Sequence, residues 1–248
     1  VGIDRSHYAP LSDEDLQHYA AQLPSGFRCV LKVWDEITSP RFPDHPSSGS
    51  RRGQQNPNFM NASLFLEAVA GPLQRSFRDH MGPLVLEIPP SRDPIPAQQF
   101  EKSLEGFLEL LPSDLQVGVE LRNRQLLRPR YLDLMRAHRA IHVLNFWTLM
   151  PTVGEQLALP GILTGPAAVC RLLLPPRTSY ANRKRDLSPF DSLQDPQPRM
   201  RADIIQLLRK TEHLQGPTYV LVNNKAEGCA PLSIRALAES ICGAGIAT

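Results

Sequence analysis

The chain has 248 residues, 42% hydrophobic and 21% charged, a length that suits one α/β barrel domain of roughly 250 residues spanning positions 1–248. Its net charge of +2 is too small to demand a nucleic-acid partner and too small to exclude one. No apolar run approaches the roughly 18 residues of a membrane helix and no secretory leader opens the chain, so no membrane partner is expected.

In chain order, residues 1–3 read as a strand. Val1 is not Met and falls directly into that run. The expectation is therefore that a first strand lies upstream of Val1. Ser12 reads as a helix N-cap, with Asp13, Glu14 and Asp15 in the first turn. Residues 27–33 form the next strand. The connection 35–58 contains Pro-Ser-Ser-Gly-Ser-Arg-Arg-Gly and is expected to be mobile. Helices follow at 59–70 and 72–80, broken at Gly71-Pro72. Strand 84–88, helix 97–111, strand 115–121, helix 131–139 and strand 141–146 come next. Strand 167–174, a long connection over 175–198, helix 200–213, strand 219–222 and helix 231–242 complete the chain. Strand-helix alternation of this kind implies parallel strands with right-handed crossovers. The count is seven strands, and a strand upstream of Val1 would complete a TIM-like (β/α)8 barrel. An open doubly wound sheet is the alternative.

The strands favour the barrel. Side chains alternate along a strand with period two. Val117, Val119 and Leu121 therefore share one face, and Gly118, Glu120 and Arg122 the other. The same split separates Leu84, Leu86 and Ile88 from Val85 and Glu87, and Cys29, Leu31 and Val33 from Arg28, Val30, Lys32 and Trp34. One face suits helices; the second carries charges toward the strand's carboxyl end, as a barrel lumen with a polar mouth does. An open sheet would be apolar on both faces. The four cysteines, Cys29, Cys170, Cys229 and Cys242, have wide irregular spacings with no C-x-x-C, so neither a zinc ribbon nor a disulfide scaffold is indicated. Cys29 and Cys170 fall in strands as small hydrophobes, which points to a reducing, cytoplasmic compartment, and Cys229 is expected in an exposed loop.

Several separated motifs keep a family's order. They are Gly2-Ile3-Asp4-Arg5-Ser6-His7-Tyr8, Val30-Leu31-Lys32-Val33-Trp34, and Leu84-Val85-Leu86-Glu87-Ile88-Pro89-Pro90. Gly118-Val119-Glu120-Leu121-Arg122, Arg171 followed by Tyr180, and Asn223-Asn224-Lys225-Ala226-Glu227-Gly228-Cys229 come after them. Together they resemble the YecE-like family, domain of unknown function 72, over nearly the whole chain. The resemblance implies a TIM-like barrel, similar in fold to endonuclease-IV-like and xylose-isomerase-like barrels, which does not give a function. The family commonly opens with a Gly-Thr-Ser-Gly-Trp strand that has no counterpart here. Its usual Glu-x-Asn reads Gly2-Ile3-Asp4, and its frequent Gln before Pro-Pro reads Glu87.

Active sites of such barrels sit at the carboxyl ends of the strands. The catalytic candidates are Glu120, Asp4 and Glu87. They suit an acid/base pair or, with His7, a divalent metal on hard oxygen ligands; mutual ion pairing with the nearby cations is the competing explanation. A zinc cluster needs several inward histidines. Yet His18, His80, His138 and His213 fall in helices, His45 in the mobile connection and His142 at a strand start. Lys32, Arg122 and Arg171 form a positive lip for an anion, either a small molecule or nucleic acid. His7 and Tyr8 suit ligand contact, and Trp34 and Tyr180 suit stacking. Asn223, Asn224 and Glu227 either orient a substrate or only shape a loop. Arg183, Lys184 and Arg185 either track a phosphate backbone or are solvated. These features point to a hydrolase or lyase acting on a phosphodiester or sugar phosphate, with a non-catalytic nucleotide or nucleic-acid module as the alternative. Oligomeric state and metal identity are not legible.

Overall fold

The computed structural model describes residues 1–42, 44, 46–91 and 93–246. His45 lies outside the described residues. Contacts divide the chain into two compact units, Val1–Leu134 and Met135–Thr248.

The first unit runs β1 (Gly2–Ile3), α1 (Asp13–Ala20), β2 (Cys29–Lys32), α2 (Asp35–Thr38), α3 (Ala62–Phe65), α4 (Gly71–Ser76), β3 (Met81–Ile88), α5 (Ala97–Glu109), β4 (Val117–Leu121) and the start of α6 (Pro129–Ala137). Its strands pair in parallel in the order β1-β2-β3-β4. β3 begins three residues before the sequence reading placed it. Cys29 aligns with Met81 but Leu31 with Leu84, so β3 carries one extra residue there. That bulge holds Pro83, which has no N–H for a regular ladder. On the helix-facing side, Leu84, Leu86, Ile88, Val119 and Leu121 are buried together with Phe100, Leu104 and Phe107 of α5. Phe107 meets Phe65 edge-on at 5.3 Å.

Two expectations for this unit change. The 59–80 segment does not break at Gly71-Pro72. A π-helical turn over Leu66–Ala70 leads into α4, and the Gly71 N–H reaches back to the Leu66 carbonyl. The widened turn accommodates a proline ring that would clash with a regular helical carbonyl. The described residues at the two ends of the 35–58 connection are tied together by specific hydrogen bonds. The Asn56 side-chain amide donates to the carbonyls of Glu36 (2.7 Å) and Ser39 (2.8 Å). The buried Glu36 carboxylate accepts from Arg51 (2.8 Å) and Asn58 (2.9 Å).

The second unit continues from α6 with β5 (Ile141–Phe146), α7 (Val153–Leu157), β6 (Ala168–Leu172), α8 (Tyr180–Leu187), α9 (Pro198–Thr211), β7 (Thr218–Val222) and α10 (Ala230–Gly243). Its strands are parallel in the order β5-β6-β7. Two of these helices escape the sequence reading. α7 starts at a full capping box, Thr152 with Glu155. α8 lies inside the 175–198 connection, capped by Ser179 and burying only Leu187. Seven parallel strands among the described residues, alternating with helices, make the fold a TIM-like α/β barrel. Among the described residues no helix is long and apolar enough to cross a membrane.

Candidate functional site

In the first unit, the carboxyl ends of β2, β3 and β4 bring together Lys32, Glu87, Glu120 and Arg122. Glu87 sits beside Glu120 in the β3-β4 register. Neighbouring strands lie only about 4.8 Å apart, so the two carboxylates would repel. Arg122, two residues on from Glu120 and on the same face, resolves this. Its Nε donates to Glu120 Oε1 at 3.0 Å and its Nη2 to Glu87 Oε2 at 2.6 Å. Lys32 Nζ reaches the same Glu87 oxygen at 2.8 Å. Two cations thus match two anions. Glu120 is fully buried, while the Lys32 side chain keeps 12% exposure. An ammonium has three donors, of which Glu87 takes one.

The turn after β1 packs against this cluster. Ser6 Oγ lies 2.6 Å from the Lys32 carbonyl and 3.1 Å from that of Ile3, tying residues Arg5–His7 to β2. Next to it, His7 Nδ1 lies 3.3 Å from the Val33 carbonyl. Burial, and after it the Lys32 charge, push the His7 pKa below the usual histidine value, with Glu87, the Val33 carbonyl and Asp35 opposing. The ring is therefore neutral at pH 7. A carbonyl only accepts, so Nδ1 carries the proton and Nε2 keeps its lone pair. Burial raises the Asp35 pKa, and His7 partly offsets this. Asp35 is the residue the sequence reading missed: it follows Trp34 at a strand's carboxyl end, where position alone marks it.

The remaining first-unit candidates lie further out. Tyr8 is 77% exposed and meets His7 edge-on at 5.3 Å. Asp4 is exposed at the start of the turn, its carbonyl accepting from the His7 N–H. Trp34 is half-buried and precedes α2. No group of three or more His, Cys, Asp or Glu among the described residues could hold a metal ion. Glu87 and Glu120 are ion-paired within the cluster.

In the second unit several of the candidates bond to the chain itself. Asn223 Oδ1 accepts from the Lys225 N–H at 3.0 Å, and Asn224 Oδ1 from the Ala230 N–H at 2.8 Å. The fully buried Glu227 accepts from the Gln197 N–H at 2.6 Å and pairs with Arg201 at 2.8 Å, closing the start of α9. Arg183 donates to the carbonyls of Lys225 and Ala226 and to Asp195, and Arg185 pairs with Asp186. Tyr180 is half-exposed, with Lys225 Nζ 4.8 Å from its ring centroid. Arg171 is buried on β6, in register between Asn145 and Leu221. Cys229 is buried at the N-cap of α10, not exposed in a loop. All four cysteines are free.

The family described as "Protein of unknown function DUF72" matches residues 1–245. The chain belongs to the DUF72 family. Solved structures of two DUF72 family proteins are among those similar to it. One, from Enterococcus faecalis V583, is 16% identical with a TM-score of 0.68, covering 97% of this chain and 84% of that one. The other, from Thermotoga maritima MSB8, is 16% identical with a TM-score of 0.60, again covering 97% and 84%. At that identity the likeness speaks for fold alone. No curated protein matches. Membership in DUF72 fixes the fold and leaves the chemistry to the residues of this chain.

Proposed function

We propose that this DUF72 chain is a barrel enzyme, a hydrolase or lyase, whose reaction centre is the carboxyl end of β2–β4. Its substrate is a small anionic molecule of the phosphodiester or sugar-phosphate class. The observation that carries the reading is the neutral His7 beside Lys32, with Nδ1 engaged and Nε2 left as a proton acceptor. In this reading His7 is the general base. Lys32 meets the anionic group with the donors Glu87 does not use. Glu87 and Arg122 position Lys32. Glu120 positions Arg122; full burial suits it to that role rather than to proton transfer with a substrate. Ion pairs this buried are seldom retained for stability, because well-packed apolar residues serve as well or better. Their position at the strand ends therefore supports a functional origin.

Arg183 of the basic run is engaged with Lys225, Ala226 and Asp195, which weighs against the nucleic-acid alternative. Four free cysteines support a reducing compartment, with the cytoplasm as the location we assign. The test is turnover of a panel of phosphate monoesters, diesters and sugar phosphates by the wild type and by His7→Gln. General-base catalysis predicts at least a roughly hundredfold loss in the variant. It also predicts an acid limb of kcat/KM with a midpoint below about 6.5 in the wild type. Turnover that survives His7→Gln, or no turnover of any panel member, contradicts the reading.

A further inference from the structure

A cavity of about 580 Å³ opens in the first unit where the connections after β2, β3 and β4 meet. Ile88 lines it. Ile88 alternates with Glu87 along β3, so its side chain leaves the strand on the other face, and none of Lys32, Glu87, Glu120 and Arg122 lines the cavity. Its size falls within the range of small-molecule sites.

Both walls are fixed in advance. On one side Asn123 donates to the Pro89 carbonyl at 2.7 Å and accepts from the Ser91 N–H at 3.1 Å. On the other, the Phe42 N–H donates to the Gln54 carbonyl at 3.0 Å, and Arg41 donates to the Gly53 carbonyl at 2.6 Å. Arg51, itself held by Glu36, lies 4.2 Å from the Phe42 ring centroid. Proline rings at positions 89 and 90 stiffen the floor and present no backbone donor. Little ordering is left for a ligand to impose, which favours affinity.

The lining defines the class of ligand. Phe42, Ile88, Pro89, Pro90, Ile95 and Leu126 make it mainly apolar, with flat ring faces among them. Its two acidic lining residues, Asp44 and Asp93, are both exposed, and Asp44 is paired with Arg52, so neither is a buried carboxylate that demands a ligand cation. We propose that this cavity is a binding site for a small, uncharged, ring-bearing molecule, separate from the reaction centre and beyond the activity proposed for it.

The experiment is calorimetric titration of the full chain with indole, cyclohexanol, benzoate and benzylamine. Wild type, Ile95→Val and Ile95→Lys are compared, with far-UV circular dichroism as the fold control. The expected result is saturable one-to-one binding of indole that Ile95→Val keeps. Ile95→Lys, which places a charge against an apolar ring, weakens it at least about tenfold. Absence of saturable indole and cyclohexanol binding by the wild type overturns the proposal. So does equal binding by Ile95→Lys, or tighter binding of benzoate or benzylamine than of indole. Were Ile95→Lys not to fold, contacts from indole protons to the Ile88 and Leu126 methyls in nuclear Overhauser spectra decide: their presence supports the site and their absence removes it. The outcome is independent of phosphate-ester turnover.

Discussion

Glu120 and Arg122 show what a single strand reveals. Period-two alternation places both on one face, and they bond there at 3.0 Å. The partnership of Lys32 with Glu87 could only be guessed, because it depends on how β2 registers against β3, and a bulge at Pro83 shifts that register. Cys229 was misplaced for a similar reason: the Gly228-Cys229 pair reads as loop, but the chain turns there into α10 and covers the thiol. His142 offers a test at this scale. It is buried in β5, and burial lowers its pKa to about 4, with a Gln156 hydrogen bond opposing. The folded chain thus declines a proton that the unfolded chain accepts near 6.5. Stability is complete above that value, falls as pH drops from about 6.5 to about 4, and levels below it. The gap corresponds to roughly 3 kcal/mol. Urea unfolding between pH 4 and 7 should show this slope, and His142→Asn should flatten it. An identical slope in the variant would assign the acid sensitivity elsewhere.

Elements were legible where apolar period and caps agree. β4, β5 and α5 fall within a few residues of expectation because the two strands are apolar runs buried throughout and the helix buries a regular stripe. α8 was hidden because its sequence, Tyr-Ala-Asn-Arg-Lys-Arg-Asp-Leu, carries no such stripe. The capping box that opens α7 was visible as Thr-x-x-Glu and passed over. The 35–58 connection looked mobile by composition, yet polar side chains staple it: Asn56, Glu36, Arg51 and Asn58 form one connected set. Composition reports a lack of hydrophobic driving force, and it misses side chains that replace a ladder with specific hydrogen bonds. Asn56→Ala removes the donor from two carbonyls at a buried position. It should destabilise the fold by about 2–4 kcal/mol and speed amide exchange across residues 35–58. A change under about 0.5 kcal/mol, the range of neutral surface substitutions, would mean that the connection is held by other contacts.

For the whole molecule, fold class was the most legible property, since alternating parallel strands and helices leave few topologies. Chemistry was the least legible. Asp4, Glu87, Glu120, Lys32 and Arg122 all stand near strand ends in the sequence. Only the structure separates an exposed Asp4 from a charge-matched four-residue cluster and sets His7 and Asp35 beside it. Asn223, Asn224 and Glu227 looked equally placed for a ligand, and their hydrogen bonds go to the chain instead. The central claim is that Lys32 receives an anion at the carboxyl end of β2. The most direct measurement is calorimetric titration of inorganic phosphate into the wild type and Lys32→Met. In that variant Arg122 still contacts both Glu87 and Glu120, and circular dichroism checks that the fold persists. The account predicts saturable phosphate binding by the wild type and at least about a tenfold loss in Lys32→Met, the equivalent of one charge-assisted hydrogen bond. Equal binding by the two proteins, or none by the wild type, would contradict it.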